Sequence, residues 1–238
     1  MAAAKTGDVA GAPRSARTAA RDREPLTRDL VVAQAIALAD VEGLDAVTIR
    51  RLAQEHHVTP MALYRHFRDK DELLDGIAER MLADVALPAP SDAPWDEQLR
   101  GLLGALTEAV RAHPAVASLV RPRIMSSPPG LELAERGLAL LRSAGFSVEQ
   151  AAELGTMAVT SAITLVTAEP GAPRIWDPEA RDDEIRAKRA RLAALSPRRY
   201  PNVVAAADAL TNCASPPDYY RLGLDIVVAG IREARSLR

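Results

Sequence analysis

The stretch "VTPMALYRHF", residues 58–67, decides how this chain is read. Thr59 suits an N-cap and Pro60 the first helical position, where proline's missing N–H costs no intrahelical bond. Val58, one residue before the cap, is placed to pack on Leu63 as a hydrophobic staple. Winding the segment at about 100° per residue puts Leu63 and Phe67 on one side, with Met61, Tyr64, Arg65 and Arg68 on the other. The short helix therefore has a core face and a decorated face. Only 3% of the chain is aromatic, so a tyrosine beside two arginines on one outward turn calls for a reason. Two readings are open at this point: an ordinary solvated surface, or a surface made for a polyanion.

The flanking sequence bears on that choice. Upstream, Thr48 caps a second short helix whose Ile49, Leu52 and Ala53 face inward, and His56 and His57 close it near the turn. Adjacent histidines cannot share a helix face, which argues against a metal pair, and no metal or cofactor is expected. Before that helix lies a longer one: Thr27 is its N-cap, and Leu30, Ala33, Ala37, Leu38 and Val41 recur at helical spacing. Gly43 sits where such a helix would end in the left-handed conformation. Downstream, Asp69 and Glu72 stand three apart as an Asp-led variant of a capping box. They open a fourth helix with an apolar stripe of Leu73, Leu74, Ile77, Met81, Leu82 and Val85.

Two short helices joined by the tight turn "EHHVTP", after a longer first helix, form a helix-turn-helix arrangement. In that arrangement the second short helix enters the DNA major groove and its outward residues meet base edges. Arginine offers a bidentate fork to guanine, while tyrosine reaches phosphate or lies against a thymine methyl. Supporting charge stands nearby, with Arg50 and Arg51 in the first turn of the second helix and Lys70 at the start of the fourth. Between residues 48 and 70, Arg50, Arg51, Arg65, Arg68 and Lys70 outnumber the acidic Glu55 and Asp69. The formal charge of −2 excludes a uniformly basic coat but masks this local patch.

Composition supports the same class. The chain has 238 residues, 48% of them hydrophobic, and abundant alanine, so the expected core is built from Ala, Leu, Val and Ile on helices. The expected fold is all-α. Cys213 is the only cysteine, which excludes an intramolecular disulfide and an all-cysteine zinc site and fits a reducing cytoplasm. No signal peptide is legible, and the longest uncharged apolar run, residues 154–168, carries hydroxyls and falls short of a membrane span. A cytoplasmic protein without a membrane partner is expected.

Residues 1–25 mix Ala, Gly, Pro and Arg without periodicity and read as a disordered basic arm carrying Arg14, Arg17, Arg21 and Arg23. "LPAPSDAP", residues 87–94, interrupts the helical pattern and places a boundary between a DNA-binding unit (26–86) and a second unit (87–238). The second unit reads as helices at about 95–111, 114–120, 131–143, 148–168, 179–195, after Pro201, and 218–235. Gly145 and the Pro128-Pro129-Gly130 cluster read as turns between them, and "EPGAPRIWDP" (169–178) as an irregular connection. Ala151, Gly155, Ala158 and Ala162 on one helix, and Gly223, Ile226, Val227 and Gly230 on the last, allow close helix approach. That approach serves packing inside one subunit or across two, and spacing leaves both open.

The segment "VTIRRLAQEHHVTPMALYRHFRDKDELLDGIAERML" resembles the helix-turn-helix core and linking helix of the tetracycline-repressor (TetR) family. It matches that family's Thr-x-Arg entry to helix two, its Leu-Tyr-x-His-Phe recognition helix and the following Lys-x-x-Leu-Leu. The resemblance implies that Thr48, Arg50 and Lys70 contact phosphates or groove edges. It sets Thr59, Met61, Ala62, Tyr64, Arg65 and His66 on or beside operator DNA. Arg65 occupies a position where family members vary and is the expected base reader; His66 lies nearer the core flank and suits a phosphate, or a half-buried structural place.

The second half resembles a tetracycline-repressor-like C-terminal domain, which implies effector binding and a homodimer closed by a four-helix interface. Magnesium–tetracycline chemistry is not carried over. An effector cavity is expected among residues 95–168, lined by Leu102, Leu106, His113, Met125, Leu138 and Met157, with Trp176 over it or pinning its loop. The alternatives are an enzyme, which would need a P-loop, G-x-S-x-G or H-E-x-x-H that the chain lacks, and a helical interaction module without DNA binding. The sequence-level reading is a ligand-responsive transcriptional regulator, a repressor that binds a palindromic operator as a homodimer and is released by a small-molecule effector.

Overall fold

A computed structural model describes residues 26–171 and 178–235; the arm at 1–25 and Trp176 lie outside them. Among the described residues there are helices and turns but no strand. Helices α1 (Arg28–Glu42), α2 (Ile49–Glu55), α3 (Pro60–Leu63) and α4 (Lys70–Ala83) form the head. The body contains α5 (Trp95–Ala112), α6 (Val120–Arg123), α7 (Pro128–Ser143), α8 (Val148–Thr167), α9 (Pro178–Ala193), α10 (Pro201–Ala205) and α11 (Pro216–Ala234).

Local signals account for most helix starts. The side chains of Thr27, Thr48, Asp69, Ser127 and Ser147 each accept a backbone N–H of their helix's first turn. Thr59 holds the N-cap position of α3, but its hydroxyl makes no cap bond, because Ala62 N–H donates instead to the Thr59 carbonyl at 2.9 Å. Asp69 Oδ1 accepts Glu72 N–H at 2.9 Å, half of the expected capping box. The Glu72 carboxylate does not return to Asp69; it accepts the Arg68 N–H at 2.8 Å.

Three expectations need correction. The face of α1 that packs inward is Val31, Val32, Ala35, Ile36, Leu38 and Ala39, while Ala33, Ala37 and Val41 are exposed. This helix is apolar nearly all round, so spacing alone does not choose the stripe; the bulkier branched residues fill the space against α4. Gly43 has φ 86 and ψ 163, an extended conformation with positive φ rather than the left-handed helical one, and still one that needs glycine. The Pro128-Pro129-Gly130 cluster is not a turn but the first turn of α7, where proline's missing N–H costs nothing. Gly130 is required there because a Cβ would collide with the Ile124 carbonyl of the preceding turn.

The body is a bundle of α5, α7, α8 and α11, with Trp95 edge-on to Phe146 at 6.1 Å. The Arg100–Asp225 ion pair at 2.5 Å ties α5 to α11. Ala151, Ala158 and Ala162 are buried, and a Cβ on Gly223 would meet Leu165, so part of the small-residue pattern serves packing within one chain. Gly230, by contrast, faces open space. Between head and body lies the segment of two 3₁₀ turns, Pro114–Leu119 and Ile124–Ser126, flanking α6. The first of these turns packs against α1 and α4 on one side and α5 and α8 on the other. No helix of the described residues is long and apolar enough to cross a membrane.

Candidate nucleic-acid interface

Leu63 and Phe67 are fully buried and hold the α3 turn against the head, where they join the core of Leu52, Leu73 and Ile77. The opposite side carries Met61 at 69% and Tyr64 at 49% exposure, with Arg65 exposed beside them. These are the faces that helical spacing predicts. The regular helix is a single turn, extended by Phe67 N–H donating to the Leu63 carbonyl at 3.0 Å. Ala62 and His66 are half-buried at its flanks, while Thr48 and Thr59 are exposed at the starts of α2 and α3.

The charges divide into two groups. Among the described residues, Arg50, Arg65 and Lys70 are exposed and make no ion pair. Arg51 differs: its guanidinium donates to Glu42 at 2.8 Å and to Glu55 at 2.9 Å. Its charge is neutralised within the head, so it contributes less to a basic face than its place in the sequence suggests. Arg68 donates to Glu72 but leaves its side chain largely in solvent.

Arg28, in the first turn of α1, holds this site together in a way that helical periodicity does not reveal. Its Nη1 donates to the His66 carbonyl at 3.0 Å and to Glu72 Oε1 at 3.1 Å, and its guanidinium lies 4.6 Å from the Phe67 ring centre. One side chain thereby ties the end of the recognition turn to both α1 and α4. The available signal was electrostatic: a cation in a helix's first turn opposes the helix dipole, and so implies a partner elsewhere.

Glu72 is the anionic centre of this knot. The Arg68 backbone N–H, then the Arg28 guanidinium, then the Arg68 guanidinium lower its pKa from 4.5 to about 2. A carboxylate with a depressed folded pKa adds stability that is fully present above its unfolded pKa and lost as pH falls through the folded one. The stability difference between the wild type and Glu72→Gln should therefore be constant above pH 4.5 and shrink toward pH 2. Urea midpoints of both proteins across that window test this; an unchanged gap would show that Glu72 is not held by these donors.

The six residues expected to line an effector cavity are not brought together. Leu102 and Leu106 are buried in the body core, and Leu138 is half-buried, facing Gly155 of α8. His113 turns to the head, its Nδ1 2.6 Å from Asp40 Oδ2. Met125 and Met157 are 66% and 62% exposed and line no interior among the described residues. Helical spacing places a residue on a stripe, but the stripe that carries Met157 is the outward one of α8, where it stands beside Thr156, Thr160 and Thr164.

The sequence pattern described as "Tetracyclin repressor-like, C-terminal domain" matches residues 87–235, and that described as "Bacterial regulatory proteins, tetR family" matches residues 31–77. The chain belongs to the TetR family. It is 31% identical over 218 residues to the class A tetracycline repressor of Escherichia coli, covering 88% of this chain and 92% of that one. An HTH-type transcriptional regulator of Saccharopolyspora erythraea is 28% identical over 172 residues, 71% of this chain and 73% of that one. Among solved structures, the TetR family protein ActR of Streptomyces coelicolor in complex with actinorhodin aligns with a TM-score of 0.71 at 32% identity. That alignment covers 89% of this chain and 99% of ActR.

As a TetR-family member the protein is a ligand-responsive transcriptional regulator, not an enzyme. Its head is a helix-turn-helix DNA-binding domain and its body an α-helical ligand-binding domain. The family binds operator DNA and small-molecule effectors as dimers.

Proposed function

We propose that this regulator is a cytoplasmic repressor that binds a palindromic operator as a homodimer and leaves it when an effector occupies the body. The observation that carries the reading is the α3 turn: Leu63 and Phe67 are sealed in the core while Met61, Tyr64 and Arg65 stand in solvent. Because its buried face fixes the backbone, the turn needs no ordering when its side chains enter a groove. Arg65 reads a base, Tyr64 and Met61 contact base edges or a thymine methyl, and Thr59, Ala62 and His66 lie beside the strand. Thr48, Arg50 and Lys70 hold phosphates, with Arg51 contributing less because of its two carboxylates. The DNA-binding unit occupies residues 26–86 and the effector-binding and dimerisation unit 87–238.

Dimerisation through α8 and α11 is supported by their outward faces. Met157 on α8 and Leu222 and Ile226 on α11 are 62%, 57% and 63% exposed, and no charged residue occurs between Leu154 and Ala168. The hydroxyls of Thr156, Thr160, Ser161 and Thr164 each donate to the carbonyl four residues back at 2.8 Å. This polar stripe is self-satisfied and can be covered without stranding a donor. The effector enters between α5, α7 and α8 by parting the core packing around Leu102, Leu106 and Leu138. ActR binds actinorhodin; for this chain we propose a small organic effector of the same general kind. Its binding shifts the population toward dimers whose two recognition turns no longer fit successive major grooves.

Selection from a random duplex library tests this reading. An inverted repeat should be enriched, with affinity falling steeply as salt rises because phosphate contacts release counterions. No enriched sequence, or a flat salt response, would exclude it.

A further inference from the structure

Away from the DNA-facing surface, the more deeply buried of two polar ties joins head and body. His113 Nδ1 lies 2.6 Å from Asp40 Oδ2, although the two residues are 73 positions apart in the chain. Asp40 stands in the last turn of α1, where the free carbonyls of the helix end disfavour a carboxylate. Its other oxygen, Oδ1, is buried without a hydrogen-bond partner among the described residues. The imidazole N–H is thus the donor on which this carboxylate depends, and losing it would leave a half-buried charge unsatisfied.

The place of His113 in the chain gives the contact its meaning. It ends α5 with φ −138 and ψ 66, and its carbonyl accepts Val116 N–H at 3.2 Å, starting the first 3₁₀ turn. The imidazole is therefore carried by a body helix and by the segment wedged against α1 and α4. A shift of either changes whether Nδ1 reaches Asp40. A second tie crosses the same seam, from Arg123 Nε to Asp75 Oδ1 at 2.7 Å, but Asp75 is 58% exposed against 25% for Asp40. Water competes more effectively for the exposed carboxylate.

We propose that Asp40 and His113 are positioning residues for operator binding, fixing the angle of the head on the body and so the separation of the two recognition turns in a dimer. This rests on the homodimeric repressor reading above. Neither residue touches DNA; they act through the orientation of α1 and of everything packed on it. Because His113 terminates α5, a ligand seated against that helix acts on this contact first.

Spacing preference is the readout, since a merely structural role would not change it selectively. Full-length wild type, His113→Leu, Asp40→Ala and the double variant are compared on the duplex that the wild type selects. The same duplex with base pairs inserted or removed at its centre is the competitor. The wild type should favour the selected spacing by roughly tenfold or more, and each single variant by about threefold or less, while still reading the same half-site. The double variant should lose no more than either single one. A wild-type preference in either single variant, or losses that add in the double, overturns the proposal. Asp40→Leu, which is close in size and offers no acceptor to the imidazole N–H, replaces Asp40→Ala if that variant does not fold, under the same criteria. If the wild type selects no inverted repeat, the repressor reading fails; if it does and the variants match it, only the positioning role fails.

Discussion

Phe67→Ala should lower folding stability by about 3–5 kcal/mol, the range for removing a fully buried aromatic ring and leaving a cavity. Phe67 is 0% exposed and is among the largest side chains sealed in the chain. Its ring lies close against α4, with Cε1 3.5 Å from where a Cβ on Gly76 would stand, and it lies below the Arg28 guanidinium. Truncation removes the apolar contacts and the ring over which Arg28 is held, so the surroundings cannot simply collapse inward. The head should lose structure before the body does, because the body core of α5, α7, α8 and α11 contains none of these atoms. Urea denaturation followed by circular dichroism measures the loss, and DNA binding should disappear with it. A cost below about 1 kcal/mol would mean that the recognition turn is not anchored through this ring.

The double variant Tyr64→Ala, Arg65→Ala should behave in the opposite way. Operator affinity should fall by about 2–6 kcal/mol, taking roughly 1–3 kcal/mol for each lost groove contact. Folding midpoint and dimerisation should stay at wild-type values, because both side chains are exposed and neither belongs to the core. Titration of the selected operator and a thermal melt of the same preparation separate the two effects. Unchanged affinity would remove α3 from the interface, and a parallel loss of stability would make these residues structural. Set beside Phe67→Ala, the pair divides one turn into an anchoring face and a reading face.

The head was the more legible part of this chain. The caps at Thr27, Thr48 and Asp69 and the Pro60 start depend on interactions within a few residues, and the apolar spacing of Leu63 and Phe67 marks the side that turns inward, all of which periodicity and capping rules describe directly. The recognition motif is local for the same reason: its function requires particular residue types on one turn. The body was read correctly as a series of helices, but the partners of their side chains were not legible. Met125 and Met157 have the chemistry of cavity lining and are exposed, while His113, nominated beside them, bonds to the head. The lining of a cavity depends on which stripes of four helices converge, and that convergence is set by packing between segments far apart in the chain.

The amino-acid sequence by itself determined the all-helical class, the helix-turn-helix, and the division of residues 58–67 into buried and outward faces. Each follows from period, caps and residue type over distances of one or two turns. Only the tertiary structure decided which side of α1 is buried, that Arg51 is engaged by Glu42 and Glu55, that Arg28 ties the recognition turn to Glu72, and that His113 meets Asp40. Charged and polar side chains can satisfy their hydrogen bonds with many partners. The choice among those partners is made by the packing of helices that are far apart in the chain.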